Sequence, residues 1–148
     1  MTVEKPRITA KIAGRPLHPL LRPFAIGYFL AVCACDLVYS QASVFAQNDA
    51  AEFASITEWL LVIGLVSAGL AAVVALIDLL GERRFRALPD ARMYAAGGAL
   101  VVALELYNLL LRHSSGADAI TPMGLILSLS AVAVLLATPS QNWARMYR

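Results

Sequence analysis

The chain has 148 residues, 59% of them hydrophobic and 15% charged, with a formal net charge of +2. Ordinary soluble domains hold roughly 45–50% apolar and about 25% charged residues. A water-soluble protein of this size has nowhere to bury so much apolar surface, and the mean hydropathy of +0.69 agrees. Composition therefore rules against a soluble enzyme, a nucleic-acid-binding domain and a disordered tail. It predicts one all-α integral membrane domain that spans the bilayer and binds no nucleic acid.

Four apolar runs follow in chain order. Residues 1–22 form a basic segment ending in an interfacial Leu17-His18-Pro19. The first span is expected over residues 24–40, with Pro23 at the first helical position, where a missing N–H costs nothing. A cleaved signal peptide is disfavoured, because Asp36 falls inside the would-be apolar core. The acidic stretch Gln41–Ala54 is expected as a loop or a short surface helix. The second span, 56–80, opens on a capping box of Ser55 and Glu58 and stops at Gly81. The third, 91–111, has Asp90 as its N-cap, and the fourth, 122–138, is capped by Thr121 and stopped by Pro139. Residues 139–148 are a tail. These lengths fit the ~17–25 residues that cross a ~30 Å hydrocarbon layer, so a bundle of four transmembrane helices, residues 23–138, is predicted.

Eleven of the twelve Lys and Arg residues lie in the N-terminal segment, the loop between spans two and three, and the tail. Only Arg112 falls on the other side. The positive-inside rule then places both termini in the cytoplasm. Trp59 and Tyr39 outside, and Tyr94, Trp143 and Tyr147 inside, fall where interfacial aromatic belts belong. Small residues recur at spacings of four: Gly27, Ala31 and Cys35; Ser67, Ala71 and Ala75; Gly64, Ala68 and Ala72; Ala95, Ala99 and Ala103; Gly124 and Ser128. Such stripes allow close helix approach in lipid, although Ala-rich helices also produce them by chance. Cys33 and Cys35, two residues apart on one helix, point in divergent directions and cannot pair with each other. They read as small packing residues.

The stretch Gly14-Arg15-Pro16-Leu17-His18-Pro19-Leu20-Leu21-Arg22-Pro23-Phe24-Ala25-Ile26-Gly27, followed by Asp36-Leu37-Val38-Tyr39, resembles the opening of a bacterial four-helix membrane family, domain of unknown function 2231. The likeness extends over about residues 12–137, through Asp78 and through Leu106-Tyr107-Asn108 and Arg112. It implies a bacterial inner-membrane, multi-pass protein. Family members fused to Rieske-type or cytochrome-type domains imply a setting near electron transfer. The chain departs from the family in two places. Ala25 follows Phe24 where the family has Pro, and Ala96 stands where the family commonly has a second His.

His18 has two readings. It is either a haem b or metal ligand, or a structural imidazole that caps a carbonyl among Pro16, Pro19 and Pro23. A lone His favours the structural one, and His113, roughly 30 Å away at the opposite face, cannot be its partner. Glu58 and Asp78 lie near span ends, within reach of headgroups. Asp36 and Glu105 instead share a depth, each about four residues (~6 Å) outward of its span's centre. Intramembrane carboxylates are expensive and are functional candidates by default. With no basic residue inside the spans, the pair is expected to share a proton. The alternatives are a proton, cation or quinone-facing site, or neutral interhelical glue bonded to Asn108, Tyr39 or a helix carbonyl. No catalytic triad, metal-spaced Cys/His cluster or phosphate loop is present, and no enzyme is expected.

Three functional expectations follow. The leading one is a protein without catalysis or cofactor, the structural or accessory partner of another membrane protein or a homo-oligomer. The second is a haem-binding or quinone-facing electron-transfer protein using His18. The third is a proton- or ion-coupled carrier using Asp36 and Glu105.

Overall fold

The computed structural model describes residues 11–12, 15–16, 18–41, 47–81 and 89–138. A two-residue antiparallel ladder joins β1 (Lys11–Ile12) to β2 (Arg15–Pro16). The remaining described elements are helical: α1 (His18–Ser40), α2 (Gln47–Gly81), α3 (Pro89–Ser115) and α4 (Leu125–Ala137). A 3-10 turn, Gly116–Ala119, and a wider turn, Ile120–Gly124, connect α3 to α4.

Three segments are long and apolar enough to cross a membrane: Leu21–Ser40, Glu52–Ile77 and Arg92–Ala137. The last has 46 residues and contains α4 and all of α3 but its first three residues. Its break is at Thr121, whose backbone is extended (φ −126°, ψ 135°). Pro122 explains this, since the residue before a proline is pushed out of the helical region. Thr138 ends α4 for the same reason, extended (φ −78°, ψ 115°) ahead of Pro139. Its hydroxyl turns back to the Val134 carbonyl at 2.6 Å, beside the Thr138 backbone N–H that donates to the same oxygen at 2.9 Å.

The sequence misplaces several helix starts. α1 begins at His18, so Pro23 lies inside it rather than at its start. Pro19 falls in the first turn, where its missing donor is free of cost, while Pro23 withholds one bond from the Pro19 carbonyl. α2 begins at Gln47, so Ser55 is an interior residue and no capping box starts the helix there. Residues 47–54, expected as a loop or a separate helix, are its first two turns. Helix propensity along Ala50, Ala51, Glu52 and Ala54 continues the apolar helix outward. α3 begins at Pro89, which puts Asp90 in its first turn.

Each helix buries a stripe at alternating steps of three and four residues, the signature of bundle packing. In α1 the stripe is Ala25, Phe29, Val32, Cys33 and Asp36; in α3 it is Val101, Glu105, Asn108 and Arg112. Neighbours fix the directions. Gly64 of α2 receives the Phe29 ring, since a Cβ there would lie 2.8 Å from it. Gly97, near the start of α3, faces Thr138 past the end of α4 in the same way at 2.5 Å, so these two helices run antiparallel. Gly27, by contrast, has nothing within 4 Å of its Cβ position, so its stripe with Ala31 brings no helix close there. The Arg22 guanidinium lies 4.6 Å over the Tyr94 ring and ties the starts of α1 and α3 together. At the opposite end Tyr39 stacks on Phe53 with centroids 5.9 Å apart.

The interior is layered. Ala25, Phe29, Val101 and Ala131 form an apolar cluster, flanked by Leu65, Ala68, Leu104, Val134 and Leu135. Toward the Tyr39 end the interior turns polar. Large apolar side chains such as Trp59, Leu70, Leu110 and Leu136 face outward instead. That inside-out pattern suits a lipid solvent.

Candidate functional site: a buried polar network

Six polar side chains meet in the upper half of the bundle: Asp36 from α1, Thr57 from α2, Glu105, Asn108 and Arg112 from α3, and Ser128 from α4. All are fully buried except Arg112, which is 2% exposed. Helical geometry assembles the α3 trio. Spacings of three and four residues put Glu105, Asn108 and Arg112 on one face, one turn above another.

Arg112 is the hub. Its Nη2 donates to both Asp36 carboxylate oxygens at 2.7 and 2.6 Å. Nη1 donates to Thr57 Oγ1 at 2.8 Å, and Nε to Asn108 Oδ1 at 3.0 Å. The Ser128 hydroxyl donates to Asp36 Oδ2 at 2.6 Å and accepts from Asn108 Nδ2 at 3.0 Å. The other Nδ2 hydrogen goes to Glu105 Oε2 at 3.2 Å. Thr57 in turn donates to the Ala54 carbonyl at 2.9 Å. Short charge-assisted bonds such as the Arg112–Asp36 pair are the strong class. Among the described residues, Glu105 Oε1 alone is buried without a hydrogen-bond partner.

The connecting turns close this end. Ile120 is fully buried and Ala119 nearly so. Gly124 sits so tightly that a Cβ would lie 2.7 Å from the Ala119 carbonyl oxygen and 3.2 Å from both Arg112 Nη2 and Asn108 Oδ1. Only a residue without a side chain lets the guanidinium and its support approach the backbone this closely.

The arrangement corrects the sequence reading of Arg112. It is not an outer-loop residue beyond a span ending at Leu111, because α3 runs on to Ser115 and turns Arg112 inward. A basic residue therefore does lie among the apolar helices, and Asp36 has a guanidinium rather than a second carboxylate as its partner. Asp36 and Glu105 both face the interior, but Asn108 and Ser128 stand between them. Glu105 is bonded to Asn108, whereas Tyr39 is half-buried and stacks on Phe53 instead. Thr57 and Ser128 were not singled out as polar partners. The one signal that could have found the hub was the helical register of Arg112 with Glu105 and Asn108.

Other candidates lie apart. The His18 backbone opens α1, but its side chain is outside the described residues, as is that of Asp78. Ala96 is exposed on the outer surface of α3. Cys33 is buried beside Asp36, and both Cys33 and Cys35 are free thiols. His113 and Glu58 pair at 3.2 Å on the surface, one residue beyond Arg112 and Thr57. Among the described residues no group of three or more His, Cys, Asp and Glu side chains could hold a metal ion.

No curated protein and no solved structure matches the chain. A family model described as "Predicted membrane protein (DUF2231)" matches residues 14–141. That interval takes in the Leu-His-Pro segment, every helix and every residue of the buried network. The chain belongs to this family of membrane proteins of unknown function.

Proposed function

We propose that this protein is a multi-pass protein of the bacterial inner membrane, with four spans, both termini cytoplasmic and no catalysis of its own. It serves as a structural or accessory partner of a larger membrane assembly, an electron-transfer assembly being the candidate that the family's fusions suggest. The observation that carries the reading is how the polar groups are used. Each of the four helices contributes to one network, and apart from a single Glu105 oxygen that network is occupied by its own members. Polar residues spent on each other fix helix register and leave little for substrate chemistry.

The topology has separate support. As one straight helix the 46-residue segment would extend about 69 Å, more than twice a ~30 Å hydrocarbon layer. The break at Thr121 and the contact of Gly97 with Thr138 favour two crossings. With Arg112 buried, every remaining Lys and Arg belongs to the side holding the termini, which strengthens the positive-inside argument. A reporter fused after Arg148 should be active only if it functions in the cytoplasm; periplasmic activity would overturn the orientation.

Purification in mild detergent from the native membrane, with mass spectrometry of co-purifying chains, tests the role. A stoichiometric membrane partner whose assembly fails when this chain is deleted is expected. Isolation of the chain alone, with a haem absorption spectrum or with proton or ion flux into liposomes, would refute the accessory reading.

A further inference from the structure

The unpartnered Glu105 oxygen has a consequence in charge. The buried network holds one guanidinium and two carboxylates. Arg112 is neutralised by Asp36 through two short bonds, and Ser128 adds a third bond to the same carboxylate. Glu105 receives one bond, from Asn108, and its Oε1 has none although the residue is fully buried. An ionised carboxylate in that position would carry an uncompensated charge in a low-dielectric interior, which proteins avoid by neutralising the group.

The surroundings are one-sided. Toward the Tyr39 end, Glu105 is followed on its own face by Asn108 and Arg112, and through Arg112 by Thr57. Next to those lie exposed His113 and partly exposed Glu58, paired at 3.2 Å. Toward the other end the next buried residue on the α3 face is Val101, packed with Ala25, Phe29 and Ala131 in a purely apolar layer. Among the described residues, the titratable or charged groups facing Glu105 are Asp36 and Cys33 from α1 and Arg112 from α3; α2 and α4 offer only the hydroxyls of Thr57 and Ser128.

We propose that Glu105 is a one-sided proton-binding site: its buried carboxyl holds a proton that exchanges with water only at the end of the bundle bearing His113 and Glu58. Release converts the carboxylic acid to a carboxylate and delivers the proton to water at that end. The network then changes from neutral to a charge of −1. Among the described residues nothing polar continues through the apolar layer, so the site loads and unloads from one face and is not a step in a through-membrane path. This does not depend on the accessory role, since it concerns a proton and not a partner.

Infrared spectroscopy of the full chain in liposomes tests it. The wild type should show the carbonyl-stretch band of a protonated carboxylic acid, and Glu105→Gln should lose it while keeping the helical circular dichroism. With the chain inserted in one orientation, raising the pH on the His113 side should remove the band, and raising it on the other side alone should not. Asp36→Asn supplies an independent arm that leaves Glu105 in place. With Asp36 uncharged, Glu105 becomes the counter-ion of Arg112, so the band should disappear there too. A wild type without the band, a band that survives in Glu105→Gln, a band that persists in Asp36→Asn, or a band removed by raising the pH on the opposite side alone would each overturn the proposal.

Discussion

The two halves of the bundle interior hold together by different physics. Around Phe29 the helices meet through shape: Ala25, Val101 and Ala131 fill space, and Gly64 lets the ring approach. Around Arg112 they meet through directed bonds between all four helices. In water the apolar half would carry the greater share, because burying it removes surface from solvent. In a bilayer that advantage is small, since lipid tails are as apolar as the side chains, and packing contacts remain as the main gain. The polar half has no such substitute in lipid. A guanidinium separated from Asp36, Thr57 and Asn108 has only hydrocarbon, or a snorkelling path to the interface, in exchange. The comparison implies that specificity of assembly sits at the Arg112 end and that the Phe29 end tolerates change.

The largest effect should come from breaking the ion pair on one side. Arg112→Met leaves Asp36 buried without its counter-ion, and loss of one partner of such a pair costs about 3–5 kcal/mol. Unfolding in mixed detergent micelles should register that loss. Combining it with Asp36→Leu should restore most of the stability, because an apolar replacement of both partners is often neutral. A double variant as unstable as the single would show that the pair is not the dominant element of this half.

Phe29→Ala probes the other half. The transfer contribution is nearly absent in lipid, which leaves the cavity contribution. At ~24 cal/mol per Å³, and with roughly 100 Å³ of side chain removed, the cost is about 2 kcal/mol. The same unfolding measurement applies. A loss exceeding that of Arg112→Met would reverse the ranking of the two halves.

The membrane class was legible in the sequence because hydropathy is a property of the chain alone, but the packing faces were not, since the small-residue stripe Ala95, Ala99 and Ala103 is exposed. Asp36 and Glu105 were legible as buried, since a carboxylate in an apolar run has few places to go. Arg112 was not. At the end of an apolar run a basic residue suits a headgroup, a loop or an interior partner equally well, and only Asp36 on another helix decides among these. The start of α2 was misread for a related reason. A local capping pattern at Ser55 and Glu58 competes with continued helix through Gln47, and local propensity alone does not say which prevails.

Ser128→Ala lies third in expected size. It removes the hydroxyl that donates to Asp36 and accepts from Asn108, but Asp36 keeps both bonds from Arg112. Interhelical hydrogen bonds in membranes average ~0.6 kcal/mol and reach ~1.7. With two bonds lost, about 1 kcal/mol is expected, read as a modest shift in the unfolding midpoint. A loss as large as that of Arg112→Met would mean that Ser128, not Arg112, organises the network.

The smallest effect is expected one residue away from the largest. His113 follows Arg112 on α3, and its ring pairs with Glu58 at 3.2 Å, as Arg112 pairs with Thr57. The pattern is parallel, but the surroundings are not. His113 is 83% exposed, so water or headgroups replace Glu58 when the ring is gone. Exposed pairs contribute 0–1 kcal/mol at most, and that contribution is screened by salt. His113→Ala should therefore leave the unfolding midpoint within experimental scatter, and raising the salt concentration should not separate it from the wild type. A clear loss in this variant would mean that His113 contributes to closing the turn Gly116–Ala119 over the network. The boundary between the directed and the solvated parts of this end would then lie outside Arg112 rather than between two consecutive residues.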